Sequence, residues 1–97
     1  MDQQSVLNSL RNHLQEIKTR FFVSDLCLFG SFARNEAVHG SDIDILVDFG
    51  KKADFDLYMD LKFYLEDLLW IPVDLVTQDA MRPRVREALK KDLIHVA

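Results

Sequence analysis

Gly30-Ser31, Asp42-Ile43-Asp44 and Asp74 are the residues of this sequence whose types and spacing can do chemistry. Alternate residues of a strand project from one face, so Asp42 and Asp44, at the start of the apolar run Ile43–Phe49, point together. Two carboxylates about 4 Å apart repel by about 4 kcal/mol at an effective dielectric of about 20. They call for a divalent cation, a shared proton or a basic partner. Asp74 sits between Val73 and Leu75 in a strand-like run, where acids are disfavoured, and asks for the same explanation. Hard ions such as Mg²⁺ take one or two carboxylates together with phosphate oxygens and water. Gly30 lets backbone approach a ligand closely. Ser31 opens what reads as a short helix, whose free N–H groups and positive dipole end suit an anion. A phosphate-binding corner beside a carboxylate-held metal is the equipment for phosphoryl or nucleotidyl transfer.

The elements that must position these residues follow from periodicity. Val6, Leu7, Leu10, Leu14 and Ile17 repeat on one helical face, predicting a helix over 3–19. Phe21 to Phe29 reads as a strand, Ser31 to Glu36 as a short helix N-capped by Ser31, and 37–41 as a loop. Ile43–Phe49 is a second strand. Asp54 caps a helix reaching Leu69, with Leu57, Tyr58, Leu61, Tyr64, Leu65 and Leu68 as its buried stripe. Val73–Thr77 is a third strand, Pro83 opens a last helix to about Lys91, and the tail "LIHVA" is a short strand or loose packing. Helices alternating with strands make an α/β (α+β) fold with a small mixed sheet flanked by helices. The helix between the second and third strands implies parallel pairing; the partner of the first strand stays open.

Composition narrows the class. Ninety-seven residues, 48% hydrophobic and 29% charged, predict one domain over 1–97 with a modest core. The net charge of -4 argues against a dedicated nucleic-acid binder. A lone cysteine, Cys27, in an apolar run is expected in the core and suits a reducing cytoplasm. No signal core and no stretch of about 18 apolar residues is present, so no membrane contact is expected. His13, His39 and His95 are too scattered along the chain to suggest zinc. Tyr58, Tyr64 and Trp70 at helical spacing read as core, and the basic run Arg82, Arg84, Arg86, Lys90, Lys91 as a solvated face. The acids Asp56, Asp60, Glu66 and Asp67 read likewise as solvent or partner surface.

Other phosphate and metal motifs fail. No Gly-Lys-Ser/Thr of a P-loop follows the glycine, and the spaced glycines of a dinucleotide fold are missing. An EF-hand would place Leu46 and Val47 where it needs a ligand and a glycine. Gly30-Ser31, ten residues, Asp42-Ile43-Asp44 and the later Asp74 instead resemble the DNA polymerase β-like nucleotidyltransferase superfamily. "GSFARNEAVHGSDIDILV", "VDLVT" and "MRPRVREALKKDLIHV" are similar, more closely, to the minimal nucleotidyltransferases, the MntA-type antitoxins paired with HEPN-domain toxins. Two departures are Asn35, where the family often has Gly, and Trp70, where Gly is common; neither removes a ligand.

The resemblance implies a polymerase β-like fold with Asp42, Asp44 and Asp74 as catalytic, Mg²⁺-holding residues of a two-ion site. It implies Gly30 and Ser31 as nucleotide-binding, with Arg34 and Ser41 as secondary contacts to the nucleotide or its loop. ATP would be the substrate and AMP the group transferred to a tyrosine hydroxyl of a HEPN ribonuclease toxin, which would thereby be neutralised. A chain this short has no second domain to hold an acceptor, which fits a folded protein partner. Two other readings remain: a non-catalytic nucleotide-binding antitoxin acting by complex formation, and a nucleotidyltransferase acting on RNA or a small molecule. The three retained acids weigh against the former, and the acidic charge and missing acceptor domain against the latter.

Overall fold

The computed structural model describes residues 1–96; Ala97, the end of the expected tail segment, lies outside the described residues. Two helices, α1 (Gln3–Asn12) and α2 (Leu14–Phe21), precede β1 (Val23–Phe29). A single helical turn, α3 (Gly30–Ala33), leads through a loop to β2 (Ile43–Phe49). Then come α4 (Phe55–Leu69), β3 (Val73–Thr77), α5 (Pro83–Leu89) and β4 (Ile94–His95), with 3-10 turns on either side of α5. The strands form one mixed sheet in the order β3-β2-β1-β4. β2 and β3 pair in parallel, as the intervening helix demands, while β1 pairs antiparallel with both β2 and β4.

Strand parity divides the molecule. Leu26, Leu28, Ile43, Ile45, Val47, Val73 and Leu75 face the main core, where Val6, Leu10, Ile17, Leu61 and Leu65 of the helices bury against them. Each of those fully buried leucines is worth about 1.5–3 kcal/mol of burial, and this packing fixes the register of the sheet. The opposite face carries a smaller cluster of Cys27, Phe29, Leu46 and Met81, with Val76, Leu89 and Leu93 against it. The acids foreseen in the sequence lie on this second face.

Several local expectations are corrected. The first helix breaks at His13, whose ring Nδ1 takes the Ser9 carbonyl at 2.8 Å while its backbone N–H turns to Leu10 O at 3.2 Å. A side chain competing for a helical acceptor ends the regular ladder there. The first strand starts at Val23, not Phe21: Phe21 closes α2 and buries on Tyr64, and Phe22 takes the left-handed conformation with φ 58°. A bulge between Val23 and Asp25 turns Val23 to the main core and Asp25 to the second face. In α4, Asp54 does cap, accepting from Leu57 N at 2.8 Å, and the deepest positions are Leu61, Leu65 and Leu69. The tail does pair: β4 lies beside β1.

Trp70 is not core. It is 89% exposed and ends α4 with φ 61°, a conformation that favours glycine. A bulky residue there costs about 1–2 kcal/mol relative to a relaxed backbone, partly offset by the flexibility glycine adds to the unfolded chain. Trp70→Gly is therefore expected to raise unfolding stability by roughly 0.5–1 kcal/mol, read from denaturant midpoints. A destabilised variant would show that the ring makes a stabilising contact.

Candidate active site

The N-terminal ends of β2 and β3 and the C-terminal end of β1 meet at one rim of the sheet. Asp44 and Asp74 are direct register partners across the parallel pair, and Phe29, just before Gly30, stands opposite Asp44 on the antiparallel side. Paired strands run about 4.8 Å apart, so the two carboxylates share one small patch of surface. Asp42 is exposed, one residue ahead of β2 and in phase with Asp44. The ridge is held from behind: Ile43 N–H donates to Pro72 O at 2.9 Å, and Val73 N–H to Glu66 Oε2 at 2.9 Å. Glu66 is thus half-buried and anchors the start of β3, a role sequence reading missed by counting it among surface acids. Its signal was an acid one helical turn before the end of α4, close in sequence to Asp74.

Gly30 has a specific reason to be glycine. Its φ is +75°, and a Cβ there would sit 2.1 Å from Asp44 Oδ2 and 2.9 Å from Asp44 Cγ. The Asp44 carboxylate lies on bare backbone. The helix start also differs from expectation. Ser31 is not the N-cap; the turn begins at Gly30 with extended Phe29 in the capping position and no side-chain cap bond. Ser31 sits half-buried inside that turn, and its carbonyl accepts from Glu36 N–H at 2.8 Å. The first N–H groups of a helix have no partner within it, so the turn still offers backbone donors beside the carboxylates. Asn35 closes the turn with φ 58°, within its tolerance as the family's glycine would be.

Burial, then the negative charges of Asp74 and Asp42 and contact with Asp74, hold the Asp44 carboxyl above the usual carboxylate range; Arg34 pulls the other way. Arg34 is also drawn to Glu36 at 3.2 Å and Asp92 at 3.8 Å. Asp44 and Asp74 are thus in contact, and Asp42 is near enough to act on Asp44 through its charge; the all-oxygen chemistry of these side chains suits a hard divalent ion. Ser41 closes the preceding loop: its Oγ accepts from Val38 N–H at 3.0 Å, and its N–H donates to Val38 O at 2.9 Å. That loop, with Gly40 at φ +93°, borders a cavity of about 520 Å³ lined also by Trp70, Ile71 and Pro72. A larger groove of about 750 Å³ runs between α2 and α4 and contains none of these residues. No helix among the described residues is long and apolar enough to cross a membrane.

The rim and fold define a class. The nucleotidyltransferase domain family matches residues 10–96, and the chain belongs to that family. It is similar to a Methanocaldococcus jannaschii protein provisionally named a protein adenylyltransferase, 43% identical with 90% of each chain covered. It is 36% identical to the protein adenylyltransferase MntA of Thermococcus cleftensis, covering 90% of this chain and 88% of that one. Among solved structures, one described provisionally as a minimal nucleotidyltransferase superposes with TM-score 0.82 at 34% identity, over 97% and 95% of the two chains. A complex of a tri-AMPylated Shewanella oneidensis HEPN toxin with MNT antitoxin shares the fold, with TM-score 0.67 at 21% identity over 98% of this chain and 71% of that one. The mixed sheet and the minimal nucleotidyltransferase architecture expected from the sequence are thus present.

Two outcomes test this geometry. Gly30→Ala is expected to lower stability by about 1–3 kcal/mol, through the left-handed φ and the overlap with Asp44, and to cut nucleotidyl transfer at least about 100-fold; denaturant unfolding and turnover read the two effects. Because the folded state holds the Asp44 proton more tightly than the unfolded one, its penalty is absent below the unfolded pKa of 3.8 and complete above the raised folded value. Asp44→Asn is therefore expected to raise the melting temperature at pH 7, with the advantage vanishing in acid. An equal gain at all pH would refute the electrostatic account.

Proposed function

We propose that this chain is an antitoxin that transfers AMP from ATP to a tyrosine hydroxyl of a cognate HEPN-domain toxin and so neutralises it. The observation that carries the reading is Asp44, packed against Gly30 and paired in register with Asp74, with Asp42 beside it, in a chain of the nucleotidyltransferase domain family. The named activities of the similar archaeal proteins support protein adenylylation over other acceptors. The HEPN complex that shares the fold suggests the kind of partner.

In this reading Gly30 and Ser31 bind the triphosphate through backbone at the α3 turn, with Arg34 and Ser41 as secondary contacts. Asp42, Asp44 and Asp74 would hold Mg²⁺. That ion, when bound, neutralises phosphate charge and lowers the pKa of the acceptor hydroxyl. The tyrosine oxygen attacks the α-phosphorus of ATP, the α–β anhydride bond breaks, and pyrophosphate leaves. Asp74, the more exposed partner of Asp44, accepts the hydroxyl proton, since a free tyrosine near pKa 10 is a poor nucleophile at neutral pH. The exposed Val38 and Trp70 flank the rim and form the apolar part of the surface that meets the toxin. A cytoplasmic setting fits ATP as donor.

The test is the intact mass of the HEPN partner after incubation with this protein, ATP and Mg²⁺. A rise by whole AMP units is expected, lost with Asp42→Asn and with chelation of the metal. A tight complex with no mass change would favour the antitoxin that acts by binding alone. Labelled AMP entering RNA instead of protein would point to an RNA-directed enzyme.

A further inference from the structure

A second group of donors lies on the same face of the sheet, away from the aspartate rim. Asp25 and Cys27 are two apart on β1, and His95 is the register partner of Cys27 on β4. Cys27 Sγ is 3.3 Å from His95 Nδ1 and 3.8 Å from Asp25 Oδ2, and His95 Nδ1 is 3.4 Å from Asp25 Oδ1. Among the described residues this is the set of three metal-ligating side chains whose donor atoms converge. We propose that Asp25, Cys27 and His95 form a binding site for a zinc-like transition-metal ion, separate from the aspartates of the rim.

Distances carry the argument. A tetrahedral zinc with bonds of about 2.0 Å to N and O and 2.3 Å to S holds its ligand atoms roughly 3.3–3.6 Å apart. The Sγ–Nδ1 separation of 3.3 Å already matches this, and Asp25, which meets the sulfur through Oδ2 and the ring through Oδ1, completes a set of ligand atoms all within 4.8 Å of one another, a gap that a small side-chain rotation closes. The donor types also match, since a thiolate and an imidazole with one carboxylate select zinc or cobalt over magnesium. Access is one-sided: Cys27 is buried, whereas the His95 side chain is 64% exposed and that of Asp25 32%. The fourth position therefore faces water. Asp48 stands opposite Asp25 in the β1–β2 register, adding negative charge on the same side.

A catalytic Cys-His-Asp relay does not fit. One ring nitrogen, Nδ1, approaches both the thiol and the carboxylate, whereas a relay needs the two ring nitrogens to serve the two partners separately. Burial and Asp25 push the thiol up to about 12, so without a cation it is not a nucleophile at neutral pH. An ion at the centre replaces the thiol proton, offsets the charge of Asp25 and ties β4 to β1. β4 is only two residues long, so that tie acts where the sheet is shortest.

Cobalt titration of the full chain tests this. Co²⁺ is expected to bind one to one with a near-ultraviolet thiolate-to-metal charge-transfer band, to be displaced by Zn²⁺, and to behave identically in Asp44→Asn. His95→Ala, at an exposed position, should fold normally and weaken binding by more than about tenfold; Cys27→Ser, with its fold checked by circular dichroism, should abolish the band. Zn²⁺ should raise the melting temperature of the wild type but not of His95→Ala. Absence of the band in the wild type, its survival in Cys27→Ser, or binding lost in Asp44→Asn but unchanged in His95→Ala would each overturn the proposal.

Discussion

Three like charges held together at the end of two strands are the constraint around which this fold is arranged. Asp44 and Asp74 are opposed by register, and register is set by the buried residues between them: Ile43, Ile45, Val73 and Leu75 on the main core face. A slip of one residue would send the acids into the core and the isoleucines to water. The apolar face thereby enforces a repulsion that the polar face would relieve if free. Gly30 completes the arrangement by letting a carboxylate rest on backbone where any side chain would displace it. Stability is spent at the rim and recovered in the packing of α1, α2 and α4 on the other side of the same strands.

Much of this was legible because it is local. Ile43–Phe49 and Val73–Thr77 are apolar runs bounded by turn signals, and both strands occupy those residues. Asp54 and the stripe behind it announced α4, and the grouping of Gly30, Asp42, Asp44 and Asp74 followed from parity and spacing. What escaped depends on partners distant in sequence or on side-chain competition. His13 breaks a periodic helix by taking a carbonyl, which apolar spacing does not register. Ser31 has a capping residue's chemistry, but the left-handed Gly30 starts the turn one residue earlier. Glu66 looks like a surface acid until β3 folds back to offer it an N–H. His95 joins Cys27 only because β4 returns to β1.

The two faces of the sheet divide the labour. One is a continuous apolar layer under three helices; the other is a patchwork of acids, a small apolar cluster and the sulfur–imidazole group. The bulge near Ser24 marks the change of face along β1, since it leaves Val23 in the main core while Asp25 and the buried Cys27 lie on the second face. The chemistry-bearing face keeps only a small packed cluster at its centre, so the residues around that cluster can be chosen for charge and ligation.

The ends of the sheet are guarded as well. At one border, the Tyr58 hydroxyl of α4 donates to the Leu75 carbonyl of β3. At the other, the Arg11 guanidinium of α1 takes the carbonyls of His95 and Val96 at 3.3 and 3.2 Å. Unpaired strand edges are templates for joining one molecule to another. Here each border has backbone acceptors already claimed by a helix, one border strand is two residues long, and the other carries a charged aspartate. The same helices that cover the core therefore also discourage the chain from polymerising through its strands, an insurance suited to a protein that must stay free to meet its substrate.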